Sequence, residues 1–193
     1  VGHALGFKSM PKPADAAMPT RQDLEPSPAL SIVERGPKRF EGRKLGILVS
    51  DGTDGVIFNA LLAQITEQKA TFEVIAPKIG GVTLSDGKWI EAHQMIDGGP
   101  SVLYDAVALL PSAEGTGDLL KEATARDFVA DAFVHCKFIG YVEAALPLMQ
   151  KAGIADALDE GVIALGAAKD VTAFIQALGK LRVWGREPSV KLN

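Results

Sequence analysis

The sequence predicts an α/β protein with a doubly wound, mainly parallel β-sheet, helices on both of its faces and an extended Pro-rich linker before it. Short apolar runs alternate with amphipathic segments along residues 43–193, which is typical of parallel strands joined by crossover helices. Six of the eleven prolines lie within residues 1–42, where they favour an extended chain because proline fixes φ and lacks a backbone N–H donor. We therefore expect a linker, or strap, over residues 1–42 and one domain over residues 43–193.

The first β-α-β unit lies at residues 44–77. It consists of a buried strand over residues 45–49, an amphipathic helix over residues 56–69 and a second strand over residues 72–76. The turn over residues 50–55 is rich in Gly, Ser and Asp, and either Thr53 or Asp54 is placed to cap the helix. Ligands of doubly wound sheets bind at the carboxyl ends of the strands, so this turn is one of two places where we expect chemistry.

The rest of the chain supplies a hairpin and three further β-α units. Asp86-Gly87 favours a tight turn, because Asp-Gly tolerates positive φ, so residues 82–92 predict a β-ribbon inserted at the edge of the sheet. We expect Gly115 and Gly117 to break the chain before an Ala-rich helix. The other predicted elements are strands over residues 105–111, 137–142 and 161–165, and helices over residues 119–135, 143–151 and 170–183. This order predicts a flavodoxin-like sheet.

Composition argues against several classes of partner. The net charge of -4 over 193 residues lacks the basic stripe of a nucleic-acid-binding protein. No apolar run reaches the roughly 18 residues that a transmembrane helix needs, and the N-terminus has no signal pattern. We therefore expect a soluble protein without nucleic-acid or membrane partners. The single cysteine leaves a cytoplasmic or a secreted location open, and the first residue, valine, suggests a fragment of a longer protein.

Two short motifs are too incomplete to predict a cofactor. The turn over residues 50–55 could hold a phosphate or a flavin at the helix N-terminus, but Asp51 and Asp54 place negative charge where the anion would lie. A capped structural turn is therefore the favoured interpretation. Gly115-Thr116-Gly117 lacks the G-x-G-x-x-G spacing of a dinucleotide-binding turn. We predict no cofactor for this chain.

The cysteine and the three histidines also favour structural roles. His3, His93 and His135 are far apart in sequence and do not have the spacing of metal ligands, so no metal site is predicted. Cys136 lies between a predicted helix and a predicted strand, at the amino edge of the sheet and away from the edge where we expect chemistry. His135 precedes it, but adjacent residues point apart on a helix. The sequence therefore predicts a structural cysteine.

The turn after the fourth predicted strand is the second place where we expect chemistry. In related sheets the residue directly after such a strand stands on a sharp turn at the carboxyl edge, where a nucleophile is found in hydrolases. Glu143 occupies this elbow position here. A carboxylate could act as a general base if burial raised its pKa, but no second catalytic group is identifiable beside it. A glutamate that is favoured by the dipole of its own helix is the alternative interpretation.

Three segments in a fixed order, at residues 26–31, 42–52 and 182–184, resemble the C-terminal extension of the large-subunit haem catalases. The resemblance covers nearly the whole chain. It implies a domain similar in fold to the DJ-1/PfpI and class I glutamine amidotransferase group, in which a Cys at the elbow is supported by a Glu on the first helix. Those two positions fall on Glu143 and near Ile57 in this chain. The resemblance therefore implies no catalytic residue here.

The resemblance also implies what the longer protein does. Large-subunit catalases are haem-dependent homotetramers that convert hydrogen peroxide to water and dioxygen with a His, an Asn and a Tyr of a β-barrel core. That core is absent from this chain, and Tyr104 and Tyr141 lack the Arg-x-x-x-Tyr motif of the haem ligand. We expect a domain that holds no haem itself and that stabilises the catalase by packing on the core of its own subunit and on neighbouring subunits.

Two alternative functions stay open at this stage. The isolated domain could act as a holdase-like chaperone that binds unfolded client proteins through exposed apolar surface. The carboxyl edge of the sheet could also hold a small-molecule or hydrolase-type site. The residues of that candidate site are Ser50, Gly52, Thr53, Ser112, Glu114 and Glu143.

Overall fold

The computed structural model describes residues 2–9 and 11–190. The chain divides into two compact units, Val1–Gly36 and Pro37–Asn193. The first unit has the 3-10 turns His3–Leu5 and Pro28–Leu30 and the one-turn helix α1 (Ile32–Arg35). Most of its described residues are exposed. The second unit starts earlier than residue 43 because Phe40 is buried in its core.

The main sheet of the second unit has six parallel strands. They are β1 (Lys44–Val49), β2 (Thr71–Ala76), β5 (Gln94–Met95), β6 (Ala106–Leu110), β7 (Ile139–Tyr141) and β8 (Val162–Ala164). Their order across the sheet is β5-β2-β1-β6-β7-β8, and Leu45 of β1 pairs with both Phe72 and Ala106. The chain thus proceeds from β1 to one edge of the sheet through β2 and β5, and then to the other edge through β6, β7 and β8. This order confirms the predicted doubly wound α/β fold.

Helices cover both faces of this sheet. They are α2 (Gly55–Glu67), α3 (Ala113–Leu119), α4 (Ala123–Val134), α5 (Leu146–Lys151) and α6 (Ala168–Leu178), and the short α7 (Glu187–Val190) follows. One core contains apolar side chains of α2, α6 and alternate residues of β1 such as Ile47. The opposite core contains those of α3, α4, α5 and the intervening β1 residue Leu48. The alternation along β1 is what a strand buried on both faces requires.

The connection from β6 to β7 differs from the prediction. Gly115 and Gly117 do not break the chain but lie within α3. Ser112 starts this helix, because its hydroxyl accepts a hydrogen bond from the Gly115 N–H at 3.0 Å. A Cβ atom at Gly115 would lie 1.9 Å from the Ser50 hydroxyl oxygen. This glycine therefore allows α3 to approach the end of β1, and α4 begins separately at Ala123.

The predicted hairpin is present, but it is not the edge of the main sheet. Strands β3 (Gly81–Thr83) and β4 (Trp89–Glu91) form a separate two-stranded antiparallel sheet. The edge strands of the main sheet are β8 and β5, and β5 pairs with the end of β2 through Gln94 and Met95. A strand of two residues is too short to produce an apolar pattern, so the sequence did not predict it.

Candidate functional site

A cleft of about 760 Å³ lies at the carboxyl edge of the main sheet, where the turn after β1, the connection from β2 to β3 and helix α3 meet. It is lined by Ser50, Asp51, Gly52, Pro77, Lys78, Gly81, Val82, Ser112, Ala113, Glu114, Gly115, Asp118, Lys121 and Glu122. Four members of the predicted carboxyl-edge set, Ser50, Gly52, Ser112 and Glu114, belong to this lining. Thr53 and Glu143 do not.

Ser50 and Ser112 lie side by side in this cleft, with their hydroxyl oxygens 3.3 Å apart. The Ser50 hydroxyl accepts a hydrogen bond from the Ser112 N–H at 2.9 Å. The Ser112 hydroxyl donates to the Asp51 carbonyl at 2.6 Å and accepts from the Gly115 N–H. Both hydroxyls are therefore bonded to the backbone, and no side chain in these bonds is a general base that would activate a nucleophile.

Thr53, in the turn after β1, is fully buried. Its hydroxyl donates to the Leu110 carbonyl at 2.6 Å and accepts from the Ser50 N–H at 3.1 Å. Thr53 thus ties the end of β1 to the end of β6. The helix cap is instead Asp54, whose carboxylate accepts from the N–H groups of Val56 and Ile57 at 2.8 and 2.9 Å. This bonding pattern is that of a capped structural turn.

The β3-β4 hairpin covers the N-terminus of α2. The Ser85 hydroxyl accepts from the Gly55 N–H at 3.1 Å, and the Ser85 N–H donates to the Thr53 carbonyl at 2.9 Å. The Asp51 carboxylate accepts from the Thr83 N–H at 2.8 Å. Since the N–H groups at the start of α2 already have partners, a phosphate would have to displace the protein's own cap.

Glu143 follows β7 but does not stand on a strained elbow. It begins a 3-10 turn, Glu143–Ala145, and is exposed. Among residues 2–9 and 11–190, the non-glycine residues with positive φ are Lys69, Cys136 and Leu181. Ile57, near the position of the supporting glutamate, is buried in the core of α2, α6 and the sheet. An apolar side chain at Ile57 cannot support a carboxylate at Glu143 as the glutamate of the DJ-1/PfpI group supports its cysteine.

Apart from Glu114, the charged residues that line the cleft were not predicted as site residues. Asp118, Lys121 and Glu122 lie on or just after α3, a helix that the sequence did not predict because of its two glycines. Lys121 donates to Asp118 at 2.8 Å and holds the pKa of that carboxyl below its ordinary value. Lys78 comes from the loop after β2. The cleft contains four carboxylates and two ammonium groups and is therefore acidic.

Cys136 lies at the amino edge of the sheet and ends helix α4. It has a φ of 55°, its N–H donates to the Phe133 carbonyl at 2.9 Å, and the Lys137 N–H donates to the Ala132 carbonyl at 3.0 Å. This is the Schellman arrangement, with cysteine in the place that glycine usually occupies. Burial raises the pKa of the Cys136 thiol. A buried thiol of high pKa is inert, as expected for a structural cysteine.

Metal ligation finds no support in the part of the chain that the structure describes, where no group of three or more His, Cys, Asp or Glu side chains is placed to hold an ion. The Nδ1 atom of His93 accepts a hydrogen bond from the Val74 N–H at 3.0 Å. His135 is the C-cap residue of α4. The side chain of His3 lies outside the described residues.

The tyrosine Tyr104 does not fit a haem ligand. Its hydroxyl donates to the Glu73 carboxylate at 2.9 Å, and its ring lies so close to Gly46 that a Cβ there would be 2.4 Å from it. Burial, together with this hydrogen bond, raises the pKa of Tyr104. A haem iron would require the phenolate oxygen of Tyr104, which already donates its proton to Glu73.

In residues 2–9 and 11–190, no helix combines the length and the apolar character that crossing a membrane demands.

Comparison with protein families gives one match that covers most of the chain. Residues 41–188 match the C-terminal domain found in long catalases. The chain is 70% identical to Catalase C of Rhizobium meliloti over 193 residues, which are 100% of this chain and 27% of that protein. It is 33% identical to Catalase HPII of Mycobacterium avium over 177 residues, 83% of this chain and 25% of that protein. The chain thus spans about a quarter of the length of these catalases.

The fold is also found in solved structures of low sequence identity. Oxidised DJ-1 of Toxoplasma gondii superposes with a TM-score of 0.63 at 11% identity, over 77% of this chain and 96% of that chain. At this identity the likeness concerns the fold alone. It confirms the DJ-1-like, flavodoxin-like fold that the sequence predicts.

Proposed function

Because this chain belongs to the family of C-terminal domains found in long catalases, we propose that it is a non-catalytic domain that stabilises the catalase of which it forms part. It does so by packing on the catalase core of its own subunit and on neighbouring subunits. In this proposal, haem and the conversion of hydrogen peroxide to water and dioxygen belong to the preceding part of the long polypeptide. The chain's share of about a quarter of such a protein supports this division.

The observation that carries the non-catalytic assignment is the bonding of the carboxyl-edge hydroxyls. Ser50 and Ser112 bond to backbone groups and to each other rather than to a base. Glu143 stands in the elbow region but is exposed on a 3-10 turn. A nucleophile needs a base within hydrogen-bond reach, and the hydrogen bonds of the Ser50 and Ser112 hydroxyls go to backbone groups and to each other, which supports the proposal. The edge is held together by its polar groups instead.

A deletion experiment tests the stabilising role. The long catalase would be compared with a version that ends before Pro37, for its specific activity and for the half-life of that activity at elevated temperature. We expect the same kcat/KM per haem and a markedly shorter half-life in the truncated protein, because interface burial is lost. An unchanged half-life and an unchanged tetramer would show that the domain does not stabilise the enzyme.

A second candidate function, a holdase-like chaperone, is favoured by the exposed apolar side chains of the unit Val1–Gly36. Leu30 and Met18 are 87% and 78% exposed there. Exposed apolar surface binds unfolded chains. Light scattering of a heated client enzyme, with increasing amounts of the 193-residue chain, tests this candidate against an inert protein of equal size. Equal aggregation in both series would exclude it.

A further inference from the structure

Four segments converge at the amino edge of the main sheet, around the side chain of Lys137. The ammonium group of Lys137 donates to the Ser101 carbonyl at 2.5 Å, which joins the start of β7 to the segment before β6. The Val183 N–H donates to the Cys136 carbonyl at 2.8 Å, which adds the segment after α6. Arg186 donates to the carboxylate oxygens of Asp159, just before β8, at 2.6 and 2.7 Å. This ion pair adds the fourth segment.

Each of these segments carries an exposed large apolar side chain. We name the set the amino-edge surface; it consists of Val102, Leu103, Val134, Leu158 and Trp184. Val102 and Leu103 are each 52% exposed, and Trp184 is 39% exposed. The hydrogen bonds above bring the four segments that carry these side chains to one edge of the sheet. Grouped apolar side chains of this kind mark interaction sites.

The polar groups within this edge already have partners. Arg186 has a side chain only 1% exposed, pairs with Asp159 and donates to the carbonyls of Phe133 and Lys137. The Lys137 ammonium donates to the Ser101 carbonyl. Covering this edge therefore leaves no charge without a partner among these groups, which keeps the desolvation cost low. The cleft at the opposite edge differs, since its four carboxylates face two ammonium groups and would lose water.

The segment that leads into the domain arrives at the same edge. The Gly42 N–H donates to the Lys69 carbonyl at 3.1 Å, and Arg43 pairs with Asp105, just before β6, at 3.3 Å. Arg182 donates to the Asp105 carbonyl at 2.8 Å. The guanidinium side chains of Arg43 and Arg182 remain 26% and 25% exposed. A partner with apolar side chains and a few carboxylate or carbonyl acceptors fits these groups.

We propose that the amino-edge surface is the face on which this domain docks against the preceding part of the same long catalase polypeptide. The inference rests on the proposed function and adds to it the face that makes the contact. The occupant is that part because the relative at 70% identity carries this chain as only 27% of its length, and the connection to it enters at this edge. Trp184 and Leu103 supply the apolar centre of the contact, and Arg43 and Arg182 its polar rim.

The chain offers a matched control at the opposite edge. Trp89 lies on β4, and Ile79 lies beyond the carboxyl end of β2; they are 58% and 86% exposed. Two double variants of the long catalase are compared: Leu103→Asp with Trp184→Asp, and Ile79→Asp with Trp89→Asp. Each introduces two carboxylates and removes one of the two tryptophans. The readouts are the half-life of peroxide-decomposing activity on heating and the rate of proteolytic cleavage within residues 1–42.

We expect the amino-edge variant to lose half-life severalfold, towards that of the protein truncated before Pro37, and to be cleaved faster. The control variant keeps the half-life of the unchanged protein. If the control variant loses half-life and the amino-edge variant does not, another face docks and this inference is wrong while the proposed function stands. If truncation itself has no effect, the proposed function fails.

A folding control keeps the comparison interpretable. The melting midpoint of the isolated 193-residue chain carrying each double variant is measured by circular dichroism. All four positions are at least partly exposed, so we expect small shifts. If the amino-edge variant unfolds the isolated chain, Val102→Asp with Leu103→Asp replaces it, since both residues lie on one half-exposed 3-10 turn. An unchanged half-life in that variant overturns the inference equally.

Discussion

Arg186 and Asp159 form a two-pronged ion pair at the amino edge of the sheet. The guanidinium Nε and Nη2 atoms lie 2.6 and 2.7 Å from the two carboxylate oxygens, and the guanidinium carbon lies 4.1 Å from the centre of the Phe133 ring. The hydrogen bond from Arg186 holds the pKa of the Asp159 carboxyl below its ordinary value. The pair ties the last 3-10 turn of the described chain to the start of β8.

Removal of this carboxylate leaves a buried guanidinium with only carbonyl partners. We expect Asp159→Ala to lower the free energy of unfolding of the 193-residue chain by about 3 kcal/mol or more, measured by urea denaturation at pH 7. Asp118→Ala is the control, because Asp118 is 69% exposed in its pair with Lys121, and it should leave the midpoint unchanged. Since the pKa of Asp159 is depressed, its contribution is present above pH about 4 and is lost as the pH falls through the folded-state pKa. Equal effects of the two variants would contradict the prediction.

Substitution by alanine should have opposite effects at the two glycines of α3, Gly115 and Gly117. A Cβ at Gly115 would lie 2.2 Å from the Cβ of Ser50, whereas one at Gly117 meets nothing within 4 Å. We expect Gly115→Ala to destabilise the chain by about 1–3 kcal/mol through overpacking. Gly117→Ala should stabilise it by about 0.5–1 kcal/mol, because alanine loses less backbone entropy in a helix. Thermal unfolding of both variants checks the pair, and a common sign would refute the close approach of α3 to Ser50.

Gly115 and Gly117 also explain why α3 could not be predicted from the sequence. β1, α2 and β2 could be predicted because their apolar periods are clear, and their observed bounds differ from the predicted ones by at most two residues. Helix α3 contains two glycines, so its sequence has a low helix propensity. It forms because Ser112 caps it and Gly115 packs against Ser50. Tertiary packing outweighs local propensity there.

The candidate site was only partly predictable for a related reason. Strand topology alone places Ser50 and Ser112 together, since β1 and β6 are neighbours and end at the same edge. It does not say that their hydroxyls bond to the backbone, which removes the catalytic interpretation. The pair of Asp159 and Arg186 has no sequence signature either, because no periodicity relates two residues in different loops.

Cys136 should be protected from thiol reagents in the folded chain. It is 7% exposed, and burial raises its pKa. We expect an aromatic disulfide reagent to label it only as fast as the structure opens, and to label it at once in concentrated guanidinium chloride. The unfolded chain thus serves as the reactivity control. Rapid labelling of the folded chain at pH 7 would mean that the amino edge is open around α4.

The burial of Lys137 leads us to expect an unusual dependence of stability on pH. It is 3% exposed, and burial, together with the nearby charge of Arg182, lowers its pKa to about 8. In the unfolded chain the pKa is about 10.4. Between these pH values the unfolded chain binds a proton that the folded chain lacks, so folding becomes more favourable as the pH rises. Below about pH 8 both states hold the proton, and this contribution is constant.

The comparison with Lys137→Met isolates this effect, because methionine retains an apolar side chain without a titrating group. Between pH 8 and 10 we expect the unfolding free energy of the unchanged chain to increase relative to that of the variant, by at most about 1.4 kcal/mol per pH unit. Lys180→Met, at an exposed position, controls for the loss of one lysine charge. Guanidinium titrations at half-unit pH steps measure the three curves. If the unchanged chain and Lys137→Met run parallel over this range, the Lys137 ammonium is not desolvated by the segments before β6 and after α6, and the amino edge is wetter than its hydrogen bonds imply.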